Sequence, residues 1–312
     1  MIAFHSLGET PSDGTEMRTT HRTTPDVQFG SPRPLVVKLG GAALDRDPDA
    51  APVFDALAAL HRAESAGAIL VHGGGKLVDR RMEALGMVSE RREGVRITPP
   101  EHVEEVVATL AGIVNTHVVG ELSSRGCAAV GLSLADGFVA RCTVADQYDF
   151  DPGRVGKVVG GSARLVDAML RAGFLPVFSS IGSDAQGRAL NINADDAAAA
   201  MAGIAAARML VLLTDVPGVM DGNKRVLATL TEEEIEGRIA SGEIANGMIP
   251  KVRGALRAAR AAGAPAAIAS WHEPESLVRL AHGETVGTLV LPPEDGSRGV
   301  EVVSSATTGA GA

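Results

Sequence analysis

Lys38 sits inside an aliphatic run, Pro34-Leu-Val-Val-Lys-Leu-Gly-Gly41, and a second such run, Ala68-Ile-Leu-Val-His-Gly-Gly-Gly75, also ends in glycines. A lysine among Val and Leu is costly to bury unless its charge meets an anion. Gly40, Gly41, Gly74 and Gly75 let bare backbone N–H groups approach a ligand closely, and a helix that follows adds the positive end of its dipole. Lys251, in Met248-Ile-Pro-Lys-Val252, falls in the first turn of an expected helix. A cation is disfavoured there unless an anion faces it. The segment Asn191-Ile-Asn-Ala-Asp195 supplies the remaining polar groups. Any one of these residues reads equally well as a helix cap. Asn191 and Asn193, however, share a side of an extended segment, which suits a ligand carrying carboxylate and amide groups. Two phosphate-grade glycine turns with one buried lysine point to phosphoryl chemistry. The loop is not of the Walker type, because Lys76 is followed by Leu77 and Val78 rather than Ser or Thr.

These residues need a scaffold that brings distant strand ends together. Short aliphatic runs alternate with helical patterns from residue 34 to 292, which predicts an α/β fold with a doubly wound, mainly parallel sheet. In such sheets ligands sit at the carboxyl ends of strands. Here those ends are Gly40-Gly41, Gly73–Gly75, Ser179-Ser180 and Thr214-Asp215. Residues 87–98 and 137–160 read as hairpins. A long helix opens at Pro100 and carries Val103, Val106, Val107, Leu110, Ile113, Val114 and Val118, a stripe wide enough to serve a subunit contact as well as the sheet. Residues 1–33 read as a disordered tail and 293–312 as a polar one.

The chain of 312 residues carries a net charge of −9, which argues against a nucleic-acid or anionic-membrane partner. Aromatic residues make up only 3%, too few for base stacking as a binding mode. No continuous apolar run is long enough to span a bilayer. Cys127 and Cys142 read as buried thiols of a reducing compartment and form no usual metal set.

Taken together, Lys38-Leu-Gly-Gly, His72-Gly-Gly-Gly, Gly94-Val-Arg-Ile-Thr98, Ser179-Ser-Ile-Gly182, Asn191-Ile-Asn-Ala-Asp195, Thr214-Asp-Val-Pro-Gly-Val and Gly247-Met-Ile-Pro-Lys251 resemble the amino acid kinase family. The likeness runs from about Pro34 to Pro292 and is strongest to members that phosphorylate N-acetyl-L-glutamate in arginine biosynthesis. It implies a three-layer αβα sandwich, with an acyl-amino-acid lobe over about 34–180 and a nucleotide lobe over about 181–292. It implies that Lys38 and Lys251 hold the transferring phosphoryl group and that Asp195 orients both lysines. Gly74, Gly75, Arg96, Asn191 and Asn193 are expected to hold the acid. ATP, with Mg²⁺ held mainly by the nucleotide and no metal site on the protein, is expected at Gly40, Gly41, Thr214, Asp215, Val216, Pro217, Gly218, Val219 and Met220, with Glu243, Ile244 and Ala245 on the adenine side. Asn246 and the Asn223-Lys224-Arg225 loop depart from the family pattern and bear on nucleotide affinity. A cytoplasmic homodimer through the helix at about 101–124 is implied, indifferent to arginine because the prolines at 11, 25, 32 and 34 oppose a continuous N-terminal helix. A sibling kinase for a longer N-acylated acid, and a sensor that binds without catalysis, are the alternatives.

Overall fold

The computed structural model describes residues 33–40, 42–44, 50–92, 94–245, 247–293 and 301–302; residues 1–32 of the expected tail, Gly41 and Asn246 lie outside the described residues. The strands are β1 (Leu35–Leu39), β2 (Ala68–His72), β3 (Arg91–Arg92), β4 (Val95–Arg96), β5 (Ala129–Ser133), β6 (Ala140–Val144), β7 (Val155–Gly161), β8 (Leu175–Ser179), β9 (Ile181–Ser183), β10 (Ala189–Ile192), β11 (Met209–Thr214), β12 (Thr229–Leu230), β13 (Ala266–Ser270), β14 (Thr288–Val290) and β15 (Glu301–Val302). The helices are α1 (Ala51–Ala63), α2 (Gly75–Ala84), α3 (Pro100–Ser123), α4 (Arg164–Arg171), α5 (Ala194–Ile204), α6 (Glu232–Ala240), α7 (Met248–Ala262) and α8 (Glu275–Ala281).

Eight strands form the central sheet in the order β12-β14-β13-β11-β1-β2-β8-β5. Every neighbouring pair is parallel except β13 with β14. Side chains alternate across a strand, so β1 divides its residues between two cores. Leu35, Val37 and Leu39 join the core under α1, α3 and α8, while Val36 joins the other, under α4, α5, α6 and α7. This is the expected α/β sandwich around a mainly parallel sheet. Lys38 shares Val36's side of the sheet and so points toward α5, whose first turn carries Asp195.

A second, mixed sheet of β15-β7-β10-β9 with β6 lies beyond the pattern read from sequence. Its β15 falls inside the stretch expected to be a polar tail and runs parallel to β7. The hairpin expected at 87–98 is present as β3 and β4. The one at 137–160 is present as β6 and β7.

In α3, Val106, Leu110, Val114, Val118 and Leu122 are buried in the chain's own core, each stabilising by about 1.5–3 kcal/mol. Rows at i, i+4 drift round an ordinary helix because 3.6 residues make a turn. Between Ala108 and Val114 the helix widens to π geometry, which turns the row back toward the sheet. The stripe is therefore mostly spent inside the protomer, and only Val103, Val107 and Ile113 are left half-buried. By length and composition α3 could cross a membrane, unlike any single apolar run in the sequence. Its apolar row, however, is packed on the sheet and α1.

Candidate active site

Two adjoining clefts open at the carboxyl ends of the central strands. The larger, about 890 Å³, is lined by Lys38, Gly40, Asn193, Asp195, Thr214, Asp215, Lys251 and Trp271, among others. The smaller, about 210 Å³, is lined by Gly73, Gly74, Gly75, Arg96, Ser180 and Asn191, and shares Lys38, Gly40, Asn193 and Asp195 with the first. All four strand ends singled out from the sequence thus reach one cleft or the other.

Lys38 and Asp195 belong to the shared wall, and Lys251, Asp215 and Asp196 line the larger cleft beyond it. Lys38 Nζ stands 3.0 Å from Asp195 Oδ1, with the lysine side chain 15% exposed. Lys251 Nζ donates to Asp215 Oδ1 at 2.6 Å, and that ammonium holds the Asp215 carboxyl below the usual range. The two lysines are therefore held by different acids, where a single Asp195 orienting both was expected. The Asp196 carboxyl is shifted upward by burial and by Asp195, against the opposing pull of Arg257.

The glycine turns bring backbone to the clefts. Gly73 N donates to Leu39 O at 3.1 Å and so fastens the second turn to the first strand. Gly74 has φ of +145°, and a Cβ there would stand 2.9 Å from both Leu110 and Val114 of the π segment. Only glycine allows α3 to support the turn at that distance. Helix α2 then begins at Gly75 with no side-chain cap, leaving first-turn N–H groups for an anion. Behind the turn, His72 is fully buried, with Nδ1 bonded to Gly73 O at 2.8 Å and Nε2 3.0 Å from Asn115 Nδ2. Asn115 also donates to Val177 O at 3.0 Å. These partners fit a neutral ring protonated on Nδ1. Burial pushes the His72 pKa down to about 4, partly offset by the Gly73 carbonyl.

In the smaller cleft Arg96 is 6% exposed and donates to Asp79, Ser89 and, at 2.8 Å, to Gly75 O. Burial alone would raise the Asp79 carboxyl. Hydrogen bonds from Arg96, Ser89 and Arg91 together overcome that and hold it at about 2. Asn191 Nδ2 donates to Thr98 Oγ1 at 3.0 Å. Asn193 Oδ1 caps α5, accepting from Asp195 N at 2.8 Å and Asp196 N at 3.2 Å. Its capping role, one of the two sequence readings, is thus realised.

The nucleotide segment is less completely assembled. Thr214 and Asp215 line the larger cleft, but Val216 to Met220 do not. Val219 is fully buried and its N–H donates to Thr288 Oγ1 at 2.8 Å. Gly218 packs so closely on Val226 and Thr288 that a Cβ would meet them at 2.7 and 2.8 Å. Glu243 is paired with Arg238 at 2.6 Å, Ile244 is buried, and Ala245 is exposed; none of the three lines either cleft. Several cleft residues had no sequence argument: Lys76, Tyr148, Lys157, Arg257 and Trp271 in the larger and Arg91 in the smaller. The single tryptophan, directly after a strand end, was the available signal for Trp271. Its backbone N–H donates to Thr214 O at 3.0 Å.

The arrangement of a central parallel sheet, paired glycine turns and two lysines is that of a phosphotransferase, and the family model for the amino acid kinase family matches residues 33–270. The chain belongs to that family. Among its relatives is the acetylglutamate kinase of Vibrio vulnificus, 43% identical over 259 residues, which span 83% of this chain and 97% of that protein. The acetylglutamate kinase of Vibrio cholerae is 44% identical over the same share of each. A crystal structure from Streptococcus mutans superposes with a TM-score of 0.65 at 27% identity, covering 83% of this chain and 99% of the other.

Proposed function

We propose that this chain transfers the γ-phosphoryl group of ATP to the γ-carboxylate of N-acetyl-L-glutamate, yielding N-acetyl-L-glutamyl 5-phosphate and ADP, a step of arginine biosynthesis. The observation that carries the reading is the shared wall of Lys38, Gly40, Asn193 and Asp195 between a large and a small cleft. A nucleotide in the larger and an acid in the smaller would meet there. The names of the Vibrio relatives supply the acid and, as kinases, the use of ATP.

The attacking carboxylate is ionised near neutral pH and needs no general base. One of its oxygens forms the new bond to the γ-phosphorus as the bond to the β,γ-bridging oxygen breaks and ADP departs. The protein must hold two anions together and stabilise charge on the phosphoryl oxygens. Lys38, fixed in β1, and Lys251, in the first turn of α7, supply the cations. Asp195 sets Lys38, and Asp215 sets Lys251. Gly40 and the opening turn of α2 supply backbone donors, while Arg96 and Asn191 hold the acid's α-carboxylate and amide. Thr214 and Asp215 serve the nucleotide, with the 216–220 turn and 243–245 forming its outer support. Among the described residues no group of three or more His, Cys, Asp or Glu comes together as a metal set. Mg²⁺ carried in with the nucleotide would add charge neutralisation at its phosphates beside the two lysines.

The same reading places the acid in a lobe over about 34–180 and the nucleotide in one over about 181–292, in a cytoplasmic enzyme without nucleic-acid or membrane partners. The half-buried Val103, Val107 and Ile113 of α3 are assigned to a homodimer contact across a two-fold axis. Light scattering is expected to give twice the chain mass, and a hexamer would refute the contact. Coupled ADP release, measured with N-acetyl-L-glutamate, L-glutamate, N-acetyl-L-aspartate and N-acetyl-L-aminoadipate, tests the substrate. The first is expected to be preferred over all the others, and preference for the longer homologue would reassign the enzyme.

A further inference from the structure

We propose that Arg91 is a second binding residue for the α-carboxylate of the acid, acting beside Arg96, with Asp79 as the positioning residue that holds both. The inference rests on the reading above and deepens it. Arg91 on β3 and Arg96 on β4 are register partners in a two-stranded hairpin. Like charges directly opposite one another destabilise a strand pair, so the hairpin needs an anion at this point. Asp79 meets part of that need, with Oδ2 3.2 Å from Arg91 Nη2 and Oδ1 bonded to Arg96 Nη1. Ser89 Oγ donates to the same Asp79 Oδ1 at 2.6 Å, steadying the carboxylate from a third side.

One carboxylate against two guanidinium groups leaves a positive charge over. Both arginines line the smaller cleft, whereas Asp79 does not and stands behind them. The side chains converge over the glycine turn: a Cβ on Gly75 would lie 3.0 Å from Arg91 Nη2 and 3.6 Å from Arg96 Nη2. Glycine at that position keeps the space between the two groups clear of side chain. A carboxylate entering it would be gripped by two charge-assisted donors, while an α-amide would lose the charge and meet donors with its own NH₂. Arg91 therefore selects for a free α-carboxylate as well as tightening its binding.

Arg91 has a side chain 45% exposed, so replacing it leaves the core intact. The experiment is steady-state kinetics of wild type, Arg91→Ala, Arg91→Lys and Asp79→Asn, with N-acetyl-L-glutamate and with its α-amide, which keeps the γ-carboxylate. In Arg91→Ala the KM for N-acetyl-L-glutamate is expected to rise about ten- to hundredfold, the scale of one hydrogen bond to a charged group. The KM for ATP should stay where it was, and Arg91→Lys should recover part of the loss. The wild-type preference for the acid over its α-amide should shrink by a similar factor. Asp79→Asn should raise the KM for the acid far more than it lowers kcat. An Arg91→Ala enzyme with the wild-type KM and an undiminished preference for the acid overturns the proposal. So does one whose KM for ATP rises equally. A wild type inert toward N-acetyl-L-glutamate would instead overturn the functional reading itself.

Discussion

The two clefts are built on different principles. In the smaller, the polar side chains are locked before any ligand arrives: Arg96 by Asp79, Ser89 and Gly75 O, and Asn191 by Thr98. The wall of the larger is mostly small and apolar, with Ala199, Ala200, Ala255, Ala258 and Ala261 set against Leu212 and Ile268. Charged groups line it too, and two of them, Lys38 and Asp195, are shared with the smaller. An acid with two carboxylates and an amide is recognised by placed donors, so those donors must be rigid. A nucleotide offers a large apolar surface, and a wall of alanines makes room for it. On the proposed function, specificity for the acid would lie in side-chain hydrogen bonds, and accommodation of the nucleotide in shape.

The strongest way to break this contrast is at the wall the clefts share. Lys38→Ala and Lys251→Ala are each expected to lower kcat by about 10²–10³, the scale of removing one electrostatic contact to a transition state. Michaelis constants should move much less, and steady-state kinetics with both substrates would show it. Near-normal turnover in either variant would remove that lysine from the reaction.

A second effect concerns the foundation of the glycine turn. The folded-state pKa of His72 is about 4, below its ordinary 6.5, so the unfolded chain binds a proton first as pH falls. Stability is then complete above pH 6.5 and is lost as pH falls toward 4, by up to about 3 kcal/mol. Asp79 acts lower. Its carboxyl at about 2, against an ordinary 3.8, contributes stability that is lost only between those values. Thermal melts across pH 4–7 should therefore show a decline that flattens in His72→Gln. An equal slope in both proteins would mean that another group governs the window.

Arg96→Ala sharpens the contrast within the smaller cleft. It is expected to raise the KM for N-acetyl-L-glutamate about ten- to hundredfold while leaving ATP binding intact. Equal loss toward both substrates, measured by titration, would contradict the separation of the clefts. The smallest effect is expected from Thr98→Val. This variant removes the partner of Asn191 and should raise the KM for the acid about two- to tenfold, the net worth of a neutral hydrogen bond.

What could be read from the sequence follows the same division. Lys38 and Lys251 stand out because each is a cation whose place is costly without an anion, whereas Asn191 rests on its alternation with Asn193 and Arg96 on the family resemblance alone; all four line the clefts. The glycine turns and most central strands are equally plain, since buried parallel strands leave long aliphatic runs. Hidden were features that exist only once distant segments meet. The pairing of Lys251 with Asp215 rather than Asp195 depends on how α7 packs beside β11. The alanines of the larger cleft look like ordinary helix formers. Arg91 sits in the charged quartet Glu90-Arg91-Arg92-Glu93 of a short hairpin, where nothing in residue type marks a ligand contact. The second sheet was missed because its short strands, such as β9 and β15, carry too few residues to show a period. The π segment left no signal either, because a widened turn changes hydrogen bonding without changing residue type.

The central claim is that a carboxylate in the smaller cleft attacks the γ-phosphorus of ATP in the larger. The most direct measurement traps the product: incubation with ATP, Mg²⁺ and N-acetyl-L-glutamate in the presence of hydroxylamine, scored for the γ-hydroxamate against ADP formed. The account predicts one hydroxamate per ADP with wild type and neither product with Lys38→Ala. ADP released without hydroxamate, or hydroxamate formed at the wild-type rate by Lys38→Ala, would contradict it.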